Sequence, residues 1–525
     1  MILKTLVDVG VRRDSTRPLA VVVGSGAIGL FLARQLVRKG WRAVVLESGD
    51  ATLGGFSSES WRSTGRPHLG MRQGRSRTIG GTSNLWGGQL VEFQPLDFER
   101  RPWQTEISWP VSYDDVAAYY PATYEQLGIG PTIQNDGSIW DAVLGATPRF
   151  KNDLEIFLTR WMKIPSVSVL FAEELRDNPH LTVLPQHTAV GFRGAGDAIT
   201  GVVVRHAGHS DVTVEGDCFI VAAGTVETVR LLLAAAEDAE FACPWAGNGL
   251  LGHYFQDHLG GTIATVEPAK GDLLHDWFRT LYWHGNKFQP KVRLSNDTLR
   301  EHDLTSAQGI VAFDSSVSEH LVFLKQFLKA AIYSRRLTGL GSLFRHLVAC
   351  ARYLPPLMWT YVKDHRVFVP RDSRVSLLVQ AEQRPLRSSC ISVDHRRKDS
   401  FGLPQAVVHW EVDGDAVRPI RELAVRCADS FAAAGLGHVQ IREPLLESSP
   451  KFLDTLADTY HAAGGAVMGA NSDSGVVDGD LRVFGTKNLY VASAATFPSS
   501  GSANVTFTAM AFATRLAEHL DQHDA

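Results

Sequence analysis

The sequence predicts an α/β fold, a parallel sheet with helices packed on it, joined to a second unit of strands with helices between them. Three observations carry this. Leu19–Val23 is a Val-rich apolar run short enough for a buried parallel strand. Gly24, Gly26 and Gly29 follow at G-x-G-x-x-G spacing and open a helix-period segment in which Leu30, Ala33, Leu36 and Val37 share one face. A second apolar run, residues 43–46, ends on Glu47.

Strand, glycine turn, helix, strand and acid in that order make a dinucleotide site. The first glycine permits a tight turn, the second a close approach of backbone to a pyrophosphate, and the third close helix–strand packing. The helix N-terminus offers free N–H groups and a positive dipole end to phosphate. Glu47 stands where an acid takes a ribose hydroxyl pair. This stretch alone leaves the kind of dinucleotide open.

The whole chain bounds the rest. Its 525 residues are long for one core, so two intimately joined domains are expected. The net charge of -4 gives no pull toward nucleic acid. Cys218, Cys243, Cys350, Cys390 and Cys427 are scattered, without a C-x-x-C pair, and read as free thiols rather than a disulfide frame or a metal site. Residues 1–18 have no long apolar segment, and no run reaches the ~18 apolar residues of a membrane span, so a cytoplasmic protein is expected.

In chain order, residues 50–79 form a polar loop with Arg72, Arg75 and Arg77 as candidate phosphate ligands. Residues 80–88 (GGTSNLWGG) hold four glycines in nine positions, a composition unsuited to a helix or strand interior. Such a stretch lets backbone lie flat against a planar ligand, and Leu85 and Trp86 within it suggest burial. Residues 181–190, 198–205 and 212–215 read as short antiparallel strands. Residues 218–223 read as a buried strand leading into a helix over 226–236. Farther on, 262–266, 375–379 and 405–412 are strand-like, 392–404 a strand and turn, and 416–434 a helix.

The G-x-G-x-x-G corner followed by GGTSNLWGG resembles the glucose–methanol–choline (GMC) family of FAD-dependent alcohol oxidoreductases. The C-terminal region extends the resemblance. His461 opens the Gly-rich turn HAAGGAVMG, VVDGDLRVFG and NLYVA follow as strands, and Asn504 opens a final helix. Read singly, His461 is a loop histidine and Asn504 a helix N-cap. Their order is that of the family's C-terminal signature, and it is similar to the pyranose-oxidase branch in particular.

The resemblance implies a discontinuous FAD-binding domain (1–110, 180–258 and 455–525) and a lid and substrate-binding domain (111–179 and 259–454) with a largely antiparallel sheet. It implies FAD contacts from Gly80, Gly81, Thr82, Asn84, Trp86, Gly87 and Ser493, with Val190 at the adenine. It places His461 and Asn504 at the flavin's reactive ring. Oxidising an alcohol removes a proton and a hydride; flavin N5 can take the hydride, and a neutral imidazole suits the proton. The Asn504 amide can then stabilise the developing alkoxide. The implied substrate is a small-molecule alcohol, a sugar or glycoside hydroxyl first among them. The electron acceptor is O2 or another compound.

The sequence also departs from the family. Pyranose oxidases carry a histidine bonded covalently to flavin where Leu85 stands here, so FAD is expected to bind non-covalently. Ser493 replaces a usual Asp, and the usual Asn after Gly-Gly-x-Ser gives way to Asn84 and Trp86. A flavin-containing lyase of the same fold is the rival reading, and a nicotinamide-dependent dehydrogenase a weaker one. Residues 321–363 carry Lys325, Lys329, Arg335, Arg336, Arg345, Arg352 and Lys363 and no acid. Two basic amphipathic helices of this kind suit an anionic membrane surface or the entrance for a lipophilic alcohol.

Overall fold

The computed structural model describes the chain except residues 1–15, 51–59, 131–135, 151–152, 207–209, 238–239, 316–319, 321–322, 325–326, 328–339, 352 and 524–525. A five-stranded parallel sheet lies at its centre, in the order Leu489–Val491, Cys218–Val221, Leu19–Val23, Arg42–Leu46, Leu181–Leu184. All five residues of the middle strand are buried, as expected of a strand covered on both faces. The helix Ala27–Arg38 runs along the closing helix Val505–His523. Leu30, Ala33, Leu36 and Val37 are all buried, the face that the periodicity predicts.

The expected strand over 181–190 is two strands. Pro185 and Gln186, the latter at φ 61°, break it. Leu181–Leu184 becomes the edge of the parallel sheet, whereas Thr188–Ala195 pairs antiparallel with Ala198–Arg205, and that strand with Val212–Glu215. The next helix starts one residue early, at Thr225–Ala236.

The second large sheet is antiparallel. Its order is Gly437–Ile441, Leu259–Pro268, Arg374–Ala381, Ala307–Asp314, Asn286–Leu294, Leu154–Trp161, Gln89–Leu90. The helix Val417–Ala433 packs across one face through Ile420, Leu423, Ala424, Cys427 and Phe431. The opposite face carries Gln308 and Gln380, which reach the loop before the closing helix.

The hairpin of Cys390–Lys398 and Pro404–Trp410 lies within the 259–454 segment, yet it pairs in parallel with Trp61–Gly65 and packs on the helix Thr225–Ala236. Buried Arg230 of that helix ties it down, donating to Pro404 O (2.6 Å) and Asp399 Oδ2 (2.8 Å). The two halves are thus interlocked. Among the described residues no helix is long and apolar enough to cross a membrane.

Candidate active site and cofactor cleft

The three glycines of the first turn do three different things. Gly24 sits at φ +104°, and a Cβ on it would lie 2.6 Å from Ala222 O. A Cβ on Gly29 would lie 2.0 Å from Gly24 O, so helix and strand touch there. A Cβ on Gly26 would meet nothing within 4 Å, so its backbone faces open space. That space at the start of a twelve-residue helix fits a pyrophosphate.

Glu47 closes this end of the cleft. Its carboxylate accepts from Ser25 Oγ (2.6 Å), Ser25 N (3.2 Å) and Gly49 N (2.8 Å). Burial raises its pKa, and the Ser25 hydrogen bond works against that rise. From Glu47 the cleft runs past Arg75, Arg77 and the Ala222–Gly224 turn to Ser493 and Ala462. Of the three arginines in the loop, Arg75 and Arg77 line it, and Arg72 is exposed.

His187, Thr188 and Ala189 also line the cleft, whereas Val190 does not. Pairing with the next strand slips between Ala189 and Gly191, leaving Val190 as the extra residue of a bulge. The strand pattern alone gives no sign of this bulge, and Ala189 lines the cleft where Val190 is expected.

The Gly-rich stretch is not flat. It forms one tight turn, Gly81–Asn84, entered through Gly80 at φ 91°. A Cβ on Gly81 would come 2.8 Å from Gly26 Cα, so this turn rests on the first one. Gly81 and Thr82 line the cleft. Gly80, Asn84, Trp86 and Gly87 stand behind it, where they hold the turn. Asn84 donates to Ile79 O (2.9 Å) and accepts from Ser166 Oγ (2.6 Å), Trp86 donates to Pro165 O (2.8 Å), and Gly87 leaves room for the Trp161 ring. Leu85, expected to be buried, is 44% exposed because it lies just past the turn. Ser493 lines the cleft and accepts from Ala495 N (3.2 Å).

The far end is organised by Asp257. Its Oδ1 accepts from the backbone N–H groups of His258 (2.8 Å), Thr459 (3.2 Å) and His461 (3.0 Å). Its Oδ2 lies 3.2 Å from His68 Nε2, and His68 Nδ1 lies 3.6 Å from Asp458 Oδ2. Burial opposes the Asp257 charge, but the carboxyl is held below its usual range, chiefly by the His68 ring beside it. His68, in the polar loop, had no sequence signal of its own.

The ring of His461 is oriented by a short relay. His461 Nδ1 lies 3.1 Å from His258 Nδ1 and 2.8 Å from Thr459 Oγ1, and His258 Nε2 lies 3.4 Å from Ser500 O. A carbonyl only accepts, so His258 Nε2 carries the proton and its Nδ1 is the acceptor. His461 must then donate through Nδ1, which leaves a lone pair on Nε2. Burial, and then the neighbouring His258, push the His461 pKa down to about 3, so the ring is neutral at pH 7.

These depressed imidazoles make stability depend on pH. In the unfolded chain they take protons near the ordinary value of 6.5; in the fold His461 does so only near 3, and burial lowers His258 as well. The unfolded state therefore binds more protons across that window, and stability falls as pH drops below about 6.5. Urea midpoints at pH 7.5 and 5 should show the fall, smaller in His461→Ala. An unchanged wild-type midpoint would mean that the rings are not held neutral.

Asn504 is oriented as firmly. Gln380 Nε2 donates to Ser502 O (2.6 Å) and to Asn504 Oδ1 (3.3 Å), so the Asn504 NH2 group points away from Gln380. Beneath this loop lies a buried ion pair, Arg101 Nη1 and Nη2 on Glu382 Oε2 (2.9 Å) and Oε1 (3.0 Å). Glu382 also accepts from Gly501 N and Ser306 N, both at 3.0 Å. Ala462 and Val505, the neighbours of His461 and Asn504, line the same cleft.

The chain is similar to known proteins over most of its length. Residues 385–513 match the family model described as GMC oxidoreductase, and residues 20–240 the model described as FAD dependent oxidoreductase. The chain is 22% identical to 2-methyl-1,2-propanediol dehydrogenase of Mycolicibacterium austroafricanum, with 96% of this chain and 95% of the relative covered. It is 21% identical to the fructose dehydrogenase large subunit of Gluconobacter japonicus, over 95% and 96% of the two chains. Its fold is similar to the crystal structure of pyridoxine 4-oxidase from Mesorbium loti, with a TM-score of 0.58 at 16% identity, covering 97% of this chain and 100% of that one.

Proposed function

We propose, for a chain that belongs to the GMC family of FAD-dependent oxidoreductases, that it oxidises a small-molecule alcohol, a sugar or glycoside hydroxyl first among them, to the carbonyl with His461 as base. The observation that carries this is the Ser500–His258–His461 relay, which presents a neutral imidazole with its Nε2 lone pair free. FAD, held by Gly24, Gly26, Glu47, Gly81, Thr82 and Ser493, supplies the hydride acceptor. His461 Nε2 takes the hydroxyl proton. Asp257, under the His461 backbone, offsets the positive charge that results. The Asn504 amide donates to the substrate oxygen as negative charge builds on it. Leu85 offers no nucleophile to the cofactor, which favours non-covalent FAD.

Anaerobic mixing of the holoenzyme with sugars, glycosides, polyols and lipophilic alcohols tests the reading. Bleaching of the flavin by one of these classes is expected, and reoxidation in air then reports whether O2 is the acceptor. A flavin that no alcohol reduces would overturn it and turn attention to the lyase.

A second reading concerns where the enzyme works. The helices Leu340–Ala351 and Leu354–Asp364 expose Phe344 (71%), Leu347, Val348, Met358, Trp359 (65%) and Val362 (70%), beside exposed Arg345 and Lys363. Lys325, Lys329, Arg335, Arg336 and Arg352 of this basic stretch lie outside the described residues. An exposed apolar face flanked by Arg345 and Lys363, with Asp364 the one acid on these two helices, suits the headgroup region of an anionic bilayer. The holoenzyme is expected to co-sediment with phosphatidylserine vesicles at low salt, and Phe344→Asp with Trp359→Asp to abolish this. Equal binding to neutral vesicles, or none to either, would sink the idea.

A further inference from the structure

Most buried ions in the described core have partners, as Arg101 and Arg230 do, but Lys291 stands apart. It sits on Asn286–Leu294, fully buried, and its Nζ has no hydrogen-bond partner among the described residues. Phe157 is its neighbour on one side of the sheet. Side chains alternate along a strand, so Lys291 shares a face with Gln289 and Arg293. Gln308 lies opposite Arg293, and Gln380 opposite Gln308, which places all of them on that same face. It is the face that covers the reacting centre, since Gln308 and Gln380 hold Ser502 O and Gln380 also holds Asn504. The charge of Lys291 is felt at His461, where it disfavours protonation.

We propose that Lys291 forms an anion subsite in the reaction chamber and takes a carboxylate carried by the alcohol substrate. A buried ammonium without an acceptor is costly, and a group placed so is stabilised most by a ligand that brings the compensating charge. Burial alone lowers the Lys291 pKa to about 7, so the amine can stand neutral without a ligand and take up a proton when an anion arrives. The protonated amine and the bound carboxylate then cancel, so an acidic substrate is seated without leaving a net charge beside His461. This rests on the reading of His461 and Asn504 as the reacting centre.

Acetate is the probe, applied to the FAD-loaded enzyme without turnover. A saturable rise in Tm and a perturbed flavin absorbance are expected for wild type. Lys291→Met should bind acetate at least tenfold more weakly, with Lys291→Arg retaining part of the response. Lys291→Gln repeats the test should the methionine variant lose FAD or fold poorly. No acetate response in wild type, or an equal one in both neutral variants, would overturn the subsite. A flavin that no alcohol reduces, beside intact acetate binding, would overturn the alcohol reading and leave the subsite standing.

Discussion

Replacing His461 with alanine should lower the rate of flavin reduction by about two to four orders of magnitude, the usual contribution of a positioned base. The relay from Ser500 O through His258 has no other acceptor to present, because it ends on His461 Nε2. FAD should remain bound, since the glycines and Glu47 at the opposite end of the cleft are untouched. Stopped-flow reduction under anaerobic conditions measures the rate, and the flavin spectrum reports occupancy. A near-wild-type rate with flavin bound would remove His461 from the role. His258→Ala is expected to be milder, because it disturbs the tautomer and orientation of the base and leaves the base itself in place.

The second large effect is on stability. Glu382→Ala strands Arg101 in the interior and removes the acceptor of the Gly501 and Ser306 N–H groups. Breaking a buried pair from one side costs about 3–5 kcal/mol, and urea unfolding should show a loss of that size. Burial alone would raise the Glu382 pKa; Arg101 overcomes this and holds it below its usual value, so the lost interaction is that of an ionised pair. Nearby Asp97 is pushed up to about 6, first by burial and then by Glu382. A loss below about 1 kcal/mol would mean that the loop before Asn504 is supported by packing alone. Because Gly501 belongs to the loop that carries Asn504, the variant should also slow flavin reduction.

Part of this architecture is legible in the sequence alone. The nucleotide corner from Leu19–Val23 to Glu47 could be read because local pattern decides it: a buried strand, three glycines with separate steric duties, and an apolar helix face. The roles proposed for His461 and Asn504 rest, in the sequence, on the order of segments around them, since each alone has an ordinary explanation. What stayed hidden depends on partners distant in sequence. His68 gains its meaning from Asp257, and Arg101 from Glu382. Val190 misses the cleft by one residue because a bulge has no signature in an alternating strand. The glycine loop misled for a related reason. Asn84, Trp86 and Gly87 have the residue types of ligand contacts, yet they face Ser166, Pro165 and Trp161.

The strand order of the parallel sheet also bears on how the protein is made. Cys218–Val221 has Leu19–Val23 on one side, but its other neighbour, Leu489–Val491, belongs to the last stretch of the chain. A growing polypeptide that has already produced the glycine turn and Glu47 therefore still has Cys218–Val221 as an open hydrogen-bonding edge of its sheet. That edge is a template for mispairing until residues 489–491 have been made and pair with it. Truncation before residue 489 should yield an insoluble, colourless product, even though the whole dinucleotide motif is present.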